Sequence, residues 1–295
     1  MKVHKRKKFG CLPTLVIIVF LIIILNFLKT RYNEVSYYTD SPLNLISELF
    51  NFDLGFDPDG YKTDDKRILK NNLKKEANSG NDKARWIVDN FDNLDDALIY
   101  LAGNDSDTID FVYNYQNGIT NFEFFPGESV LLDRKTPYFL QWDNRWAYNT
   151  LDDKNIGFYG CGPTAMAMVL ARLNGDISIT PDIVAKDAEA YMTYGGISWD
   201  FFSDEANRYG YTISEIPLDE YEMIYALDQG PLIVSVNRGY FTLFGHIMVI
   251  DSYKDGKFVI NDPNSIRKSQ KSWSYDEISN QIAKIWLIKK KWTRS

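Results

Sequence analysis

Gly160-Cys161-Gly162-Pro163-Thr164-Ala165-Met166-Ala167-Met168-Val169-Leu170-Ala171-Arg172-Leu173 is the stretch around which the chain is organised. Ala165, Met166, Val169, Leu170 and Leu173 recur at the spacing of one helical face, so its second half predicts an amphipathic helix. The first half reads as the start of that helix. Two glycines flank the cysteine and permit close backbone approach, and Pro163 suits the first turn, where its missing N–H costs nothing. Cys161 is thereby placed at a helix N-terminus. The unpaired N–H groups and the macrodipole there favour thiolate over thiol, the form a cysteine nucleophile needs.

Composition narrows the partners of that thiol. The chain holds two cysteines, Cys11 and Cys161, and two histidines, His4 and His246. Cys11 and His4 fall in the N-terminal segment, so a Cys–His pair in the folded part must use Cys161 and His246. The competing reading is a small, buried, inert cysteine, which is how most free cysteines are used. One thiol and one histidine are too few for a structural zinc site, so no metal and no cofactor are expected.

The length of 295 residues allows one large or two modest domains with a sizeable core, and a 45% hydrophobic, 15% aromatic composition is that of a globular protein. Residues 1–32 carry seven Lys or Arg and no acid, leaving 26 basic against 40 acidic residues in the remainder. A body near −14 repels nucleic acid, and no basic stripe with interleaved aromatics offsets it.

Lys2, Lys5, Arg6, Lys7 and Lys8 precede an apolar run at residues 12–28, followed by Lys29 and Arg31. Seventeen residues span roughly 26 Å as a helix, and counting from Phe9 brings this to about 30 Å, a bilayer core. The run is long for a cleaved secretory signal and lacks a small-x-small cleavage site. Five basic residues before it against two after it predict a cytoplasmic N-terminus, with the rest of the chain outside the cell membrane. Cys161 is then a lone exported thiol, unable to form an internal disulfide, which fits a bacterial cell surface.

Residues 33–80 read as a polar linker with one helical candidate at 43–50 and a turn at Asp57-Pro58-Asp59-Gly60. Trp86, Ile87, Phe91, Leu94, Ala97, Leu98 and Leu101 recur at three and four, and Ser106 or Asp107 caps a short helix at 108–115. From about Val130 short apolar strands are expected, with Tyr138-Phe139-Leu140-Gln141-Trp142-Asp143-Asn144-Arg145-Trp146 leading into the cysteine helix. Further helices are predicted from Thr180-Pro181 to near Gly195, from Ser198 to near Gly210, and over 218–227. Strands follow at 231–236, 246–252 and 257–261, the last two joined by a Lys254-Asp255-Gly256 hairpin turn. Helices first and an antiparallel sheet after predict an α+β fold.

His246 opens its strand directly after Gly245, in position to take the proton from Cys161 and return it to a leaving amine. The hairpin places Asp262 of Asn261-Asp262-Pro263 as its approximate cross-strand partner, where a carboxylate fixes the imidazole's tautomer and orientation. Gln141, twenty residues before the thiol, is a candidate oxyanion donor beside the Cys161 N–H. Tyr191, Tyr194, Trp199, Tyr240 and Phe241 are candidates either for lining a groove or for the core.

The Gly-Cys-Gly-Pro-Thr-Ala-Met-Ala-Met motif, with Gln141 before it, His246 after a glycine and Asp262 before a proline, resembles the C39-like peptidases of the papain-like cysteine protease superfamily. The segment Tyr138–Trp146 is similar to one found there too, and the resemblance covers about residues 130–290. It implies a papain-like α+β fold in which Cys161 is nucleophile, His246 general base, Asp262 its orienting acid and Gln141 the oxyanion donor. The domain organisation expected is then 1–32 as cytoplasmic basic segment and transmembrane signal anchor, 33–129 as polar linker and small helical region, and 130–295 as the peptidase domain. Hydrolysis of a peptide or protein substrate through an acyl-enzyme is the leading expectation. A cell-wall amidase, a transpeptidase-like acyltransferase using the same residues, and a non-catalytic peptide-binding module remain open. Well-understood members of the wider family process leaders ending in two glycines from within exporters, a substrate that does not transfer to an outward-facing chain without a transporter.

Overall fold

The computed structural model describes residues 60–291. The expected membrane span at 12–28, the helix candidate at 43–50 and most of the turn at 57–60 lie outside the described residues. Among the described residues, no helix is long and apolar enough to cross a membrane.

A six-stranded antiparallel sheet is the scaffold. Its strands are β1 (Tyr211–Glu215), β2 (Leu232–Asn237), β3 (Gly245–Lys254), β4 (Lys257–Asn261), β5 (Ser272–Trp273) and β6 (Ile282–Lys290), in the order β1-β6-β2-β3-β4-β5. Residues 232–236 and 246–251 are buried without a break because both sheet faces are covered. Ile233, Ile247, Val249, Trp286 and Ile288 pack in one cluster, while Leu232, Val234, Val236, Met248 and Ile250 join Met223, Phe241 and Trp273 in another. A strand covered on both sides reads as an apolar run instead of an alternation. The β3–β4 turn is as expected: Asp255 and Gly256 both take positive φ (52° and 78°), the pair a tight two-residue hairpin requires.

Eight helices of two turns or more are described: α1 (Lys66–Asn78), α2 (Asp82–Asp89), α3 (Asp96–Asn104), α4 (Ile109–Gln116), α5 (Cys161–Asn174), α6 (Pro181–Ala188), α7 (Asp200–Arg208) and α8 (Glu220–Leu227). The spacing in α5 predicts one apolar face, but Gly162 to Ala171 are buried all round. The helix is wedged between the sheet and the cluster that holds Val184, Ala185, Phe201 and the 138–146 segment. It stops at Gly175, which takes the left-handed conformation (φ 66°) and donates back to Arg172 O.

Several sequence expectations need correction. The linker expected through residue 80 is already helical from Lys66. Leu69, Leu73 and Ala77 make a sparse i, i+4, i+8 stripe that the neighbouring helices bury completely enough to hold an otherwise polar helix. Residues 119–149 contain turns but no strand, although Tyr138, Phe139 and Leu140 are buried as expected of one. α6 ends at Ala188, well before Gly195, where Met192–Thr193 and Gly196–Ile197 form a short ribbon instead. β1, β5 and β6 have no counterpart in the sequence reading, yet β6 lies inside the sheet between β1 and β2.

The helical layer of α1 to α4 packs directly on the sheet-containing part. Phe111 of α4 stacks on Tyr148 (5.4 Å between centroids) and meets Phe158 edge-on (5.2 Å). A Cβ added at Gly157 would lie 2.3 Å from the Phe111 ring, so the glycine is the socket for that ring. Truncating a ring seated this deeply costs about 3–5 kcal/mol. Phe111→Ala should therefore lower the stability of the whole chain by that order in chemical denaturation; a loss below about 1 kcal/mol would mean that the layer is only loosely attached.

Candidate active site

The sulfur is positioned by local sterics on both sides. The one-turn helix Ile156–Tyr159 leads into Gly160, whose N–H donates to Ile156 O at 2.7 Å. A Cβ on Gly160 would sit 2.4 Å from that carbonyl, and one on Gly162 would sit 2.8 Å from Ile197 Cγ2. Both glycines are thus required by close approach, not by backbone angle, since Gly160 has φ −80°. Cys161 is the first residue of α5, so its N–H has no intrahelical acceptor. The residue keeps part of its surface open.

β3 delivers His246 to this helix end. Its imidazole, with the backbone N–H groups of Ile247 and Gly162, lies close enough to the Cys161 thiol to favour the ionised sulfur. On the imidazole's other side, Nε2 lies 2.7 Å from Asp262 Oδ1. With Nε2 taken, Nδ1 is the nitrogen that faces the thiol. The register contributes to this meeting. A bulge at Asp251 shifts the pairing so that Val249 faces Asn261, and Asp262 emerges one residue past the end of β4. Asp251 is turned toward α5, where it accepts from the Thr136 N–H (2.8 Å) and from Arg172 (3.3 Å).

Asp262 is fully buried and tightly held. Its Oδ1 also accepts from the Asn264 N–H at 2.8 Å, its N–H donates to Ser269 Oγ at 2.8 Å, and its carbonyl accepts from the Tyr138 hydroxyl at 2.8 Å. Neither Tyr138 nor Ser269 was assigned a role by sequence reasoning. Tyr138 stands out in sequence only as part of the family-like segment 138–146, with no role of its own, and nothing in a lone serine marks it as an anchor.

Gln141 is drawn to the same turn: its N–H donates to Pro263 O at 2.8 Å, and the next side chain, Trp142, donates from Nε1 to Asn264 O at 3.1 Å. The Gln141 amide donates one hydrogen to Gly157 O at 2.9 Å, which leaves its second hydrogen free, and no hydrogen bond joins it to Cys161. The structure therefore brings Cys161, His246 and Asp262 together, with the imidazole bonded to the carboxylate, and sets Gln141 beside them through the backbone. Of the aromatic residues considered as groove lining, Phe241 is buried in the core, Tyr191 and Tyr240 are half-buried, and Tyr194 and Trp199 are exposed. Among the described residues no cluster of three metal-ligating side chains exists.

The charges reinforce one another. Burial pushes the Cys161 thiol up, but the bonded imidazole and the two N–H groups outweigh it and leave the thiol below its ordinary value. Burial also opposes charge on His246, yet the Asp262 carboxylate and then the thiol raise the imidazole to about 9. Over the window between these two, sulfur is thiolate and imidazole is imidazolium.

An α+β protein with a thiol, an imidazole and a buried carboxylate in line has the layout of a thiol hydrolase. Residues 134–293 match the model of the Peptidase_C39 like family, and the chain belongs to that family. Among solved structures it is similar to the peptidase domain of Streptococcus ComA, a bi-functional ABC transporter involved in a quorum sensing pathway. That match is 16% identical, has a TM-score of 0.38, and covers 49% of this chain and 99% of that one. A double glycine motif protease from an AMS/PCAT transporter, in complex with the leader peptide, is 20% identical with a TM-score of 0.38, covering 57% and 100%. No curated protein matches the chain.

Alkylation of Cys161 by a small thiol reagent should rise with a midpoint below that of an ordinary thiol, about 8.5, and stay high above pH 9, where the thiolate persists after the imidazolium is lost. His246→Ala removes the counter-charge and should move the rise upward by a unit or more, about tenfold less reaction at neutral pH. An unchanged profile in that variant would mean that the imidazole does not ionise the thiol.

Proposed function

We propose that this chain is a cysteine peptidase that hydrolyses peptide bonds through an acyl-enzyme, on a papain-like fold anchored in the cell membrane with its catalytic part outside. The reading is carried by the placing of His246 between the Cys161 thiol, whose ionisation it favours, and the Asp262 carboxylate, which lies 2.7 Å from its Nε2. The thiolate attacks the scissile carbonyl carbon, the C–N bond breaks, and the departing amine takes the proton held on His246 Nδ1. Water then attacks the thioester, gives its proton to the imidazole, and releases the acid and the thiolate. Asp262 keeps the imidazole in place and stabilises its charge. The Cys161 N–H at the helix start and the second hydrogen of the Gln141 amide are the donors for the developing oxyanion. Anchoring rests on the apolar run at 12–28 and the basic residues before it.

Cys161→Ala should abolish peptide cleavage by the purified chain, and persistence of cleavage would overturn the assignment. Gln141→Ala should lower kcat by about 100-fold with a smaller change in KM, the signature of a lost oxyanion donor. Topology is tested in intact cells producing the full chain: a membrane-impermeant thiol reagent should modify Cys161. Protection until the cells are lysed would place the domain inside.

A further inference from the structure

The turn that carries Asp262 is held from outside the segment that matches the family. Ser265, three residues on and fully buried, donates from Oγ to Asp105 Oδ1 at 2.9 Å. Asp105 lies in the helical layer between α3 and α4, is 7% exposed, and forms an equally buried ion pair with Lys62. The same Ser265 Oγ caps the short helix Ile266–Gln270 by accepting from the Lys268 N–H. That helix presents Ser269, whose Oγ receives the Asp262 N–H. Asp107, two residues beyond Asp105, lies near the start of the same helix and feels the Arg267 charge. A buried carboxylate of the helical layer therefore holds the start of the helix that anchors the catalytic acid.

Lys62 belongs to an extended strap at residues 60–65 that reaches the other catalytic loop. Its N–H donates to Gly239 O at 2.9 Å, and Asp64 accepts two bonds from Arg238 at 3.0 Å each, in the loop that leads to Gly245 and His246. Tyr61 meets Tyr240 edge-on at 4.4 Å, and Lys268 donates to Gly60 O at 3.0 Å. One short segment thus bridges the loop before the imidazole and the turn behind the carboxylate, and its buried tie to the second runs through Asp105.

We propose that Asp105 is a positioning residue for the reaction: by tying the strap at residues 60–65 to Ser265, it fixes Asp262 and, through it, His246. The inference rests on the peptidase reading above. It makes the helical layer and the strap at residues 60–65 part of the active site's support. A loosened Asp262 no longer holds the imidazolium, so the window in which thiolate and imidazolium coexist narrows from both sides.

The test compares Asp105→Ala, Asp105→Asn and Ser265→Ala in the full chain, reading peptide cleavage, Cys161 alkylation against pH, and melting temperature. Asp105→Ala should lower kcat/KM by about 10- to 100-fold, mostly in kcat, as expected for a loss felt at the transition state. The acid limb of alkylation should move up and the alkaline limb of cleavage, set by His246 near 9, should move down. Asp105→Asn retains an acceptor for Ser265 and should recover most of both. If Asp105→Ala does not yield folded protein, Ser265→Ala breaks the same link from the other end with the same expectation. A folded variant with wild-type rate and limbs, or a rate loss that follows melting temperature with both limbs in place, overturns the proposal. Failure of the peptidase reading is distinct: Cys161 in the unmodified chain would then show no early alkylation and Cys161→Ala would leave cleavage intact.

Discussion

A carboxylate kept wholly from water sustains the chemistry of this molecule. Asp262 is buried, and an unpaired charge there would be strongly unfavourable. Its compensation is directional: Oδ1 takes both the imidazole and the Asn264 N–H, whereas Oδ2 has no partner. Little of the carboxylate's charge is spread over other donors, so the imidazolium is its principal counter-charge. That is the physical reason why His246 rises to about 9 despite burial, and why a thiol that burial alone would push up falls instead. Remove the carboxylate and both effects lapse together.

Four separate pieces of chain must converge for that arrangement to exist: the start of α5, the start of β3, the turn after β4, and the 138–142 segment. The sheet supplies precision because β3 and β4 are adjacent strands whose register is set by a two-residue hairpin and a single bulge. Bonds from Tyr138, Gln141 and Trp142 to residues 262–264 then lock the turn against the segment lying alongside. Sites assembled on strands and helix ends hold their geometry better than sites on free loops. Here the loop-borne carboxylate of Asp262 is tied at its N–H, its carbonyl and its side chain.

Much of this was legible in the sequence for identifiable reasons. Gly-Cys-Gly-Pro announces a helix start because proline and glycine restrict backbone options, and the scarcity of cysteine and histidine leaves one pairing. The β3–β4 hairpin was legible because Asp-Gly favours positive φ. The rest depends on partners far along the chain. α1 buries only three side chains, and it is stable because other helices cover them. β6, Ile282-Ala-Lys-Ile-Trp-Leu-Ile-Lys-Lys, is covered on both sides, so no alternation marks it as a strand. The all-round burial of α5 and the anchoring by Tyr138 and Ser269 are likewise tertiary facts. Asp105 is the extreme case, since nothing adjacent to it in sequence connects it with a turn 160 residues away.

The charge balance also refines the role of the imidazole. A spacing argument casts His246 as a base that removes a proton from the thiol during attack. The lowered thiol and the imidazole raised to about 9 both favour transfer of that proton ahead of attack. Attack then begins from a charged nucleophile, and the demand on His246 shifts to the second half of acylation, when the amine must leave protonated. A strongly held proton is slower to give away than one near neutrality. The formation of the thioester removes the sulfur's negative charge, however, and with it one of the interactions that keep the imidazole protonated. The proton is released more easily at the stage that requires it, and Asp262 alone remains to keep the ring aligned.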